Sequence, residues 1–352
     1  MWNYYVEDEL IDYFIKNEKK ANSILLNSRN INKLNELNFN RRQANLNNIF
    51  DKKFCDEIIK KWQEYDYDKC FNELKKLIDD IYHKCDIGDL IELNHIMSCI
   101  LNNLGKSNQI EGRVYYARVI REYLPIQHIP TSEIIERDSL LENYRKTEAL
   151  FGDIVLVSFV SDSNSFYVYT SCSEGWINGF ETIEFIDIKD AIEATKNKKN
   201  LLFNKKNISC VCKESLGKKY YWGTIFDCSG FVRYIFGRFG IILPSNTTNQ
   251  KEIECLKYNL SGLDYVEKSK IFNEISLGAL IYMKGHVSMY LGKIDSKYYV
   301  VGAVGSVINP ESMKYVTIDK ICITTMDTLR KNGNSWFEDS DMVLIPWMVN
   351  KN

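Results

Sequence analysis

The run Phe226-Asp227-Cys228-Ser229-Gly230-Phe231-Val232-Arg233-Tyr234 puts a cysteine at the turn into an amphipathic segment. Further along, Gly285-His286-Val287-Ser288-Met289-Tyr290-Leu291-Gly292 reads as a strand that begins with a histidine. A thiol at a helix N-terminus and an imidazole held on a strand are the two reacting parts of a cysteine hydrolase. The partial positive charge of a helix N-terminus favours the thiolate, which is the nucleophile. Cys228 is therefore the candidate nucleophile, and the thiol expected to alkylate fastest near neutral pH. Strand alternation puts His286, Ser288 and Tyr290 on one face, with Val287, Met289 and Leu291 on the other. His286, expected within hydrogen-bond reach of Cys228, is the candidate base and, in reverse, the acid for a leaving amine. On spacing alone, a buried structural cysteine and an unrelated histidine fit equally well.

These side chains need elements to hold them. Phe231, Val232, Ile235, Phe236 and Phe239 form an apolar stripe that predicts a helix over 229–239, stopped by Gly240. Strands are predicted over 279–283, 286–291, 298–301, 314–318 and 342–345, so the segment is α+β, helix first and strands after. At 352 residues, the chain has room for two or three domains. Residues 1–122 read as a helical region: apolar residues recur at helical spacing over Asp56–Trp62 and Phe71–Tyr82, and neither glycine nor proline interrupts before Gly88. His83 and His95 there suggest no chemistry. Over 123–190, short β-branched and aromatic runs, Ile154–Val157 and Phe166–Tyr169, flank the turn-rich 161–165 and predict a small β-barrel. The Lys/Asn-rich 191–207 reads as a linker or a solvated helix end, and 208–352 as the segment that carries the chemistry.

The formal net charge of -2 gives no bias toward nucleic acid or an anionic membrane, and neither is expected as a partner. No stretch of apolar residues is long enough for a membrane span, and Met1–Lys16 is acidic where a signal peptide is basic. A cytoplasmic location is the expectation, with release by lysis as the other route. The ten cysteines are irregularly spaced and read as free thiols; Cys210 and Cys212 have no second pair, so neither a zinc site nor any other cofactor is expected.

Four ordered stretches resemble the NlpC/P60 family of papain-like cysteine peptidases: Leu216-Gly217-Lys218-Lys219-Tyr220-Tyr221-Trp222-Gly223, Asp227-Cys228-Ser229-Gly230-Phe231, Gly240-Ile241-Ile242-Leu243-Pro244 with Gln250, and Gly285-His286-Val287 with Tyr290-Leu291-Gly292. Ala149–Trp176, with its strand, polar turn and terminal Gly175-Trp176, is similar to a bacterial SH3b module. The order of helical region, SH3b-like β-barrel and peptidase resembles bacterial γ-D-glutamyl-diamino-acid endopeptidases. The resemblance implies hydrolysis of the γ-D-glutamyl–diamino-acid bond of peptidoglycan stem peptides, in muropeptide recycling or wall lysis. Peptidoglycan-derived peptides are then the expected partners.

Residue by residue, the resemblance implies Cys228 as nucleophile, His286 as base and Tyr220 as a donor to the oxyanion. Asp227 and Ser229 match residues that contact the N-terminal part of the substrate, where a carboxylate would pair with a free amine. Trp222 would wall the pocket or pack in the core. Two departures stand out. Gly302 occupies the place of the polar third catalytic residue, so the site is a dyad, is impaired, or takes Ser306 or Asn309 from the next loop. A degenerate domain that binds wall peptides without cutting them, or an acyltransferase or amidase on the same fold, are the other readings. Ser245 stands where Leu-Pro-Arg is usual.

Overall fold

The N-terminal residues fold with the chemistry-bearing segment rather than with the rest of the first 122. The structure, a computed structural model, describes residues 4–64, 72, 76, 113–130, 137, 144–160, 164–197 and 201–349. Two compact units form, one from residues 1–46 with 198–352 and one from 47–197. The helix expected over Phe71–Tyr82, with His83 and His95, lies outside the described residues apart from 72 and 76.

In the first unit, α1 (Glu9–Asn17) buries Ile11 and Phe14. Next comes α2 (Ser28–Phe39), N-capped by Asn27, which accepts the Asn30 N–H at 2.9 Å. Just before α1, Tyr5 pairs with Ile323 through two 2.8 Å backbone hydrogen bonds. The buried Asn35 of α2 donates to the Gly240 carbonyl (2.8 Å) and accepts the Ile242 N–H (3.0 Å). One amide thus fixes the loop behind the nucleophile helix.

The second unit holds α3 (Lys52–Gln63), then β1 (Tyr115–Val119), β2 (Tyr123–Gln127), β3 (Arg145–Leu150), β4 (Ile154–Val160), β5 (Ser165–Tyr169), β6 (Glu174–Asn178), β7 (Ile183–Ile186) and α4 (Ile188–Asn197). β1 thus lies inside the stretch expected to be helical. The seven strands pair antiparallel in the order β3-β2-β6-β5-β4-β1-β7. That order runs open, and the described pairings do not close the expected barrel. The physical reason is visible on β4. Val155 and Val157 enter one core cluster; Ile154, Leu156 and Phe159 enter another with Ile58 and Trp62 of α3 and Ala191 of α4. A sheet buried on both faces reads as a continuous apolar run. The linker expected over 191–207 is helical at both ends, where α4 finishes and α5 (Lys205–Ser215) begins.

The rest of the first unit is α6 (Cys228–Gly237), α7 (Thr247–Gln250), β8 (Leu256–Asn259), α8 (Tyr265–Glu274), β9 (Leu280–Met283), β10 (His286–Ile294), β11 (Lys297–Ile308), β12 (Tyr315–Thr325), α9 (Trp336–Asp339) and β13 (Ser340–Ile345). Its six strands pair antiparallel in the order β12-β11-β10-β9-β13-β8. α6 packs against β10 and β11 and fully buries Phe231, Val232, Ile235 and Phe236. β11 and β12 run far beyond the short strands expected at 298–301 and 314–318. The β11–β12 ladder continues past Gly302 and Gly305 and absorbs the irregularity as a bulge between Val304 and Ser306.

Candidate active site

The nucleophile turn is built by Asp227. Its Oδ1 accepts the Gly230 N–H (2.6 Å) and the Ser229 hydroxyl (2.9 Å), and its Oδ2 accepts the Gly223 N–H (3.0 Å). The first of these caps α6 and holds Cys228 on its first turn. The fully buried Gln250 fastens the same turn from outside. Its amide donates to the carbonyls of Ser229 (3.0 Å) and Pro244 (2.8 Å), and it accepts the Tyr282 hydroxyl (3.0 Å). The Ser229 hydroxyl also lies 3.1 Å from the Ser245 carbonyl. Both oxygens of Asp227 therefore serve the protein itself, and burial raises its carboxyl above the usual range. The structure gives Asp227 and Ser229, both buried, the job of shaping the turn; it does not present Asp227 as an open receptor for an amine.

Trp222 stands 54% exposed, which separates it from the core packing that was its other reading. The Tyr220 ring lies over β11, where a Cβ on Gly305 would sit 3.8 Å from its Cε1. The Tyr220 N–H donates to the Asp319 carbonyl at 2.9 Å.

Cys228 Sγ lies 3.9 Å from the Gly285 carbonyl oxygen, and the Val287 N–H also faces the sulfur. The sulfur thus sits against the backbone on either side of His286, but no thiol–imidazole hydrogen bond forms between these two described residues. The thiol is pushed up to about 12, by burial first and then by the Asp227 carboxylate; the N–H groups of Val287 and Ser229 pull the other way. Burial and a neighbouring anion thus outweigh the helix terminus that the sequence makes prominent. The labelling order changes accordingly. Among the described cysteines, Cys210 is exposed, whereas Cys228 is 7% exposed. Iodoacetamide near neutral pH is expected to reach Cys210 first, as peptide mass mapping would show. Asp227→Asn keeps an Oδ1 acceptor for the Gly230 N–H, gives up the Oδ2 bond to the Gly223 N–H, removes the negative charge and should speed labelling of Cys228. An unchanged rate would contradict the electrostatic argument.

The His286 imidazole packs against Trp336 of α9, with ring centroids 4.7 Å apart and planes tilted by 52°. Its Nε2 lies 3.1 Å from Ser288 Oγ. Burial, aided by the Arg330 guanidinium, depresses its pKa to about 3. Arg330 is held by the Lys284 carbonyl (2.7 Å) and by Asp339 (3.5 Å). At neutral pH the resting pair is thus a thiol and a neutral imidazole. A depressed histidine contributes stability above its unfolded pKa of about 6.5, and that contribution is lost as pH falls from there toward the folded value. His128 of the other unit, lowered to about 4, acts with the same sign. The test is therefore a difference: wild type should lose more stability than His286→Gln between about pH 6.5 and pH 3.5 in denaturant titrations. Parallel curves would refute the half-buried neutral imidazole.

Neither expected third member supplies this hydrogen bond. Ser306 is exposed on β11, paired with Thr317. The Asn309 side-chain oxygen accepts the N–H groups of Glu311 (2.8 Å) and Ser312 (3.2 Å), closing the turn after β11. The partner is Ser288. The alternation that put Ser288 on the face of His286 was the signal for it; Trp336, distant in sequence, left none.

The model of the NlpC/P60 family matches residues 217–319. Probable endopeptidase p60 of Listeria seeligeri is 34% identical over 87 residues, which cover 22% of this chain and 14% of that protein. The same-named protein of Listeria innocua serovar 6a is 33% identical over 87 residues, covering 22% and 16%. The chain thus spans only about a seventh of the length of these curated relatives. Across 97% of both chains, the fold is similar to that of an NlpC/P60 endopeptidase from Photobacterium damselae subsp. piscicida, with a TM-score of 0.67 and 13% identity. Residues 217–319 are an NlpC/P60 family domain, and Cys228 and His286 both lie within it.

Proposed function

We propose that the chain is a cysteine peptidase that hydrolyses the γ-D-glutamyl–diamino-acid bond of peptidoglycan stem peptides. One observation carries the reading: Cys228 sits on the first turn of α6 with its sulfur against the backbone that flanks His286, inside an NlpC/P60 domain. The relatives from Listeria are named probable endopeptidases, which supports peptide bonds as the target.

In the proposed reaction, rotation of the Cys228 side chain brings Sγ toward His286. The imidazole takes the thiol proton as Sγ attacks the scissile carbonyl carbon. The resting pair is neutral, so proton transfer accompanies attack rather than preceding it. First-turn N–H groups of α6, which have no intrahelical acceptor, and the Tyr220 phenol would stabilise the oxyanion. Collapse breaks the C–N bond, His286 returns the proton to the leaving amine, and water then hydrolyses the thioester. Trp222 would give the substrate an exposed apolar wall. In the other unit, the sheet would act as an SH3b-like wall-binding module. A cytoplasmic location would favour free stem peptides over glycan-linked peptidoglycan.

The test is incubation with L-Ala-γ-D-Glu-diaminopimelate and mass analysis. Release of L-Ala-D-Glu and diaminopimelate is expected; an intact tripeptide would contradict the proposal. The buried thiol, not bonded to His286, favours a second reading, peptide binding without cleavage. Calorimetric binding of the tripeptide with no turnover would establish that reading instead.

A further inference from the structure

We propose that Ser288 on β10 is the positioning residue for His286, filling the polar role that the family resemblance implies at position 302 on β11. The inference builds on the peptidase reading, and its central readout does not depend on turnover. Ser288 is fully buried in the middle of the sheet, where an unmatched hydroxyl is costly. Its Oγ lies 3.1 Å from His286 Nε2. Gly302 sits directly across: a Cβ there would come within 2.8 Å of Ser288 Oγ and 3.4 Å of Ser288 Cβ. The space between β10 and β11 therefore holds one polar group beside the imidazole, and here β10 supplies it. Glycine at 302 is what leaves room for the serine, so the two positions are complementary. Trp336 packs against one side of the ring, and the serine end of the hydrogen bond is itself fully buried.

The assigned direction is Nε2–H donating to Ser288 Oγ. This fixes the tautomer whose remaining basic nitrogen is Nδ1, the atom that would accept the Cys228 proton. Ser288 acts through His286 and touches no substrate atom.

The measurement is the 15N shift pair of the His286 ring, assigned by its loss in His286→Gln. Wild type should show one tautomer, protonated at Nε2. Ser288→Ala should show a mixture of the two, with kcat lowered by about tenfold or more and KM little changed. Gly302→His alone should lower activity, because its side chain meets Ser288. The double change Ser288→Gly with Gly302→His should exceed Ser288→Gly alone, because the space is then refilled from β11. If Ser288→Ala fails to fold, Ser288→Cys, of similar size with a weaker hydrogen-bonding group, is read in the same way. An unchanged tautomer in these variants would overturn the proposal, as would a gain of activity from Gly302→His alone. Absence of turnover in wild type would sink the peptidase reading, while the ring shifts would still decide the role of Ser288.

Discussion

Cys228→Ala is expected to lower cleavage of a stem peptide by about a thousandfold or more, because attack on the carbonyl needs the sulfur and the remaining groups can only bind and polarise. Folding should survive the change. α6 is held by its apolar stripe, by the Asp227 cap and by Gln250, none of which uses the thiol. Loss of one small buried atom is an ordinary substitution, worth about 1 kcal/mol. Turnover and thermal melting measured on the same sample separate the two effects. Retained cleavage at a tenth of the wild-type rate would remove Cys228 from the mechanism. A collapse in melting temperature would make the loss of activity uninformative and contradict the structural account of α6.

The largest stability effect should come from Gly230→Ala. A Cβ at this position collides with the Thr224 carbonyl oxygen and comes within 2.9 Å of Ile225 Cα. Both obstacles are backbone, so no side chain can swing aside. The 221–227 turn is also held fast: the Thr224 hydroxyl donates to the Tyr221 carbonyl (2.9 Å) and accepts the Phe226 N–H (3.0 Å). Moving this turn strains the Asp227–Gly223 bond (3.0 Å) that helps to fix the cap. Overpacking a well-packed site typically costs about 1–3 kcal/mol, and a backbone-on-backbone clash belongs at or above the top of that range. Denaturant unfolding should show the midpoint shift, and activity should fall with it because Cys228 rides on the same turn. An unshifted midpoint would mean that the turn is far softer than its hydrogen bonds imply.

The parts of the site legible in sequence are those with local causes. The stripe from Phe231 to Phe239 declares a helix, whereas Asp227, expected to contact substrate, turns out to be its cap. Alternation after His286 declares a strand and its two faces. What stayed hidden depends on neighbours remote in sequence. β11 continues through Gly302 and Gly305 because Ser288 fills the space beside one and the Tyr220 ring lies over the other, facts of cross-strand packing. That continuation takes Ser306 and Asn309 away from the role expected of a loop. The electrostatics reversed for a similar reason: a helix N-terminus is visible in sequence, whereas the burial that makes Cys228 a resting thiol is not. In the other unit, the run Ile154–Val157 does not tell a barrel wall from a sheet covered by helices; Trp62 and Ala191 settle that only once α3 and α4 are in place.

The central claim is that Cys228 forms a covalent acyl-enzyme with a stem peptide. Rapid acid quench after mixing with L-Ala-γ-D-Glu-diaminopimelate, followed by intact and peptide-level mass spectrometry, tests it most directly. The account predicts an L-Ala-γ-D-glutamyl thioester on the peptide that carries Cys228, absent in Cys228→Ala. An adduct on a different residue, or cleavage that proceeds with no adduct at any quench time and persists in Cys228→Ala, would contradict it.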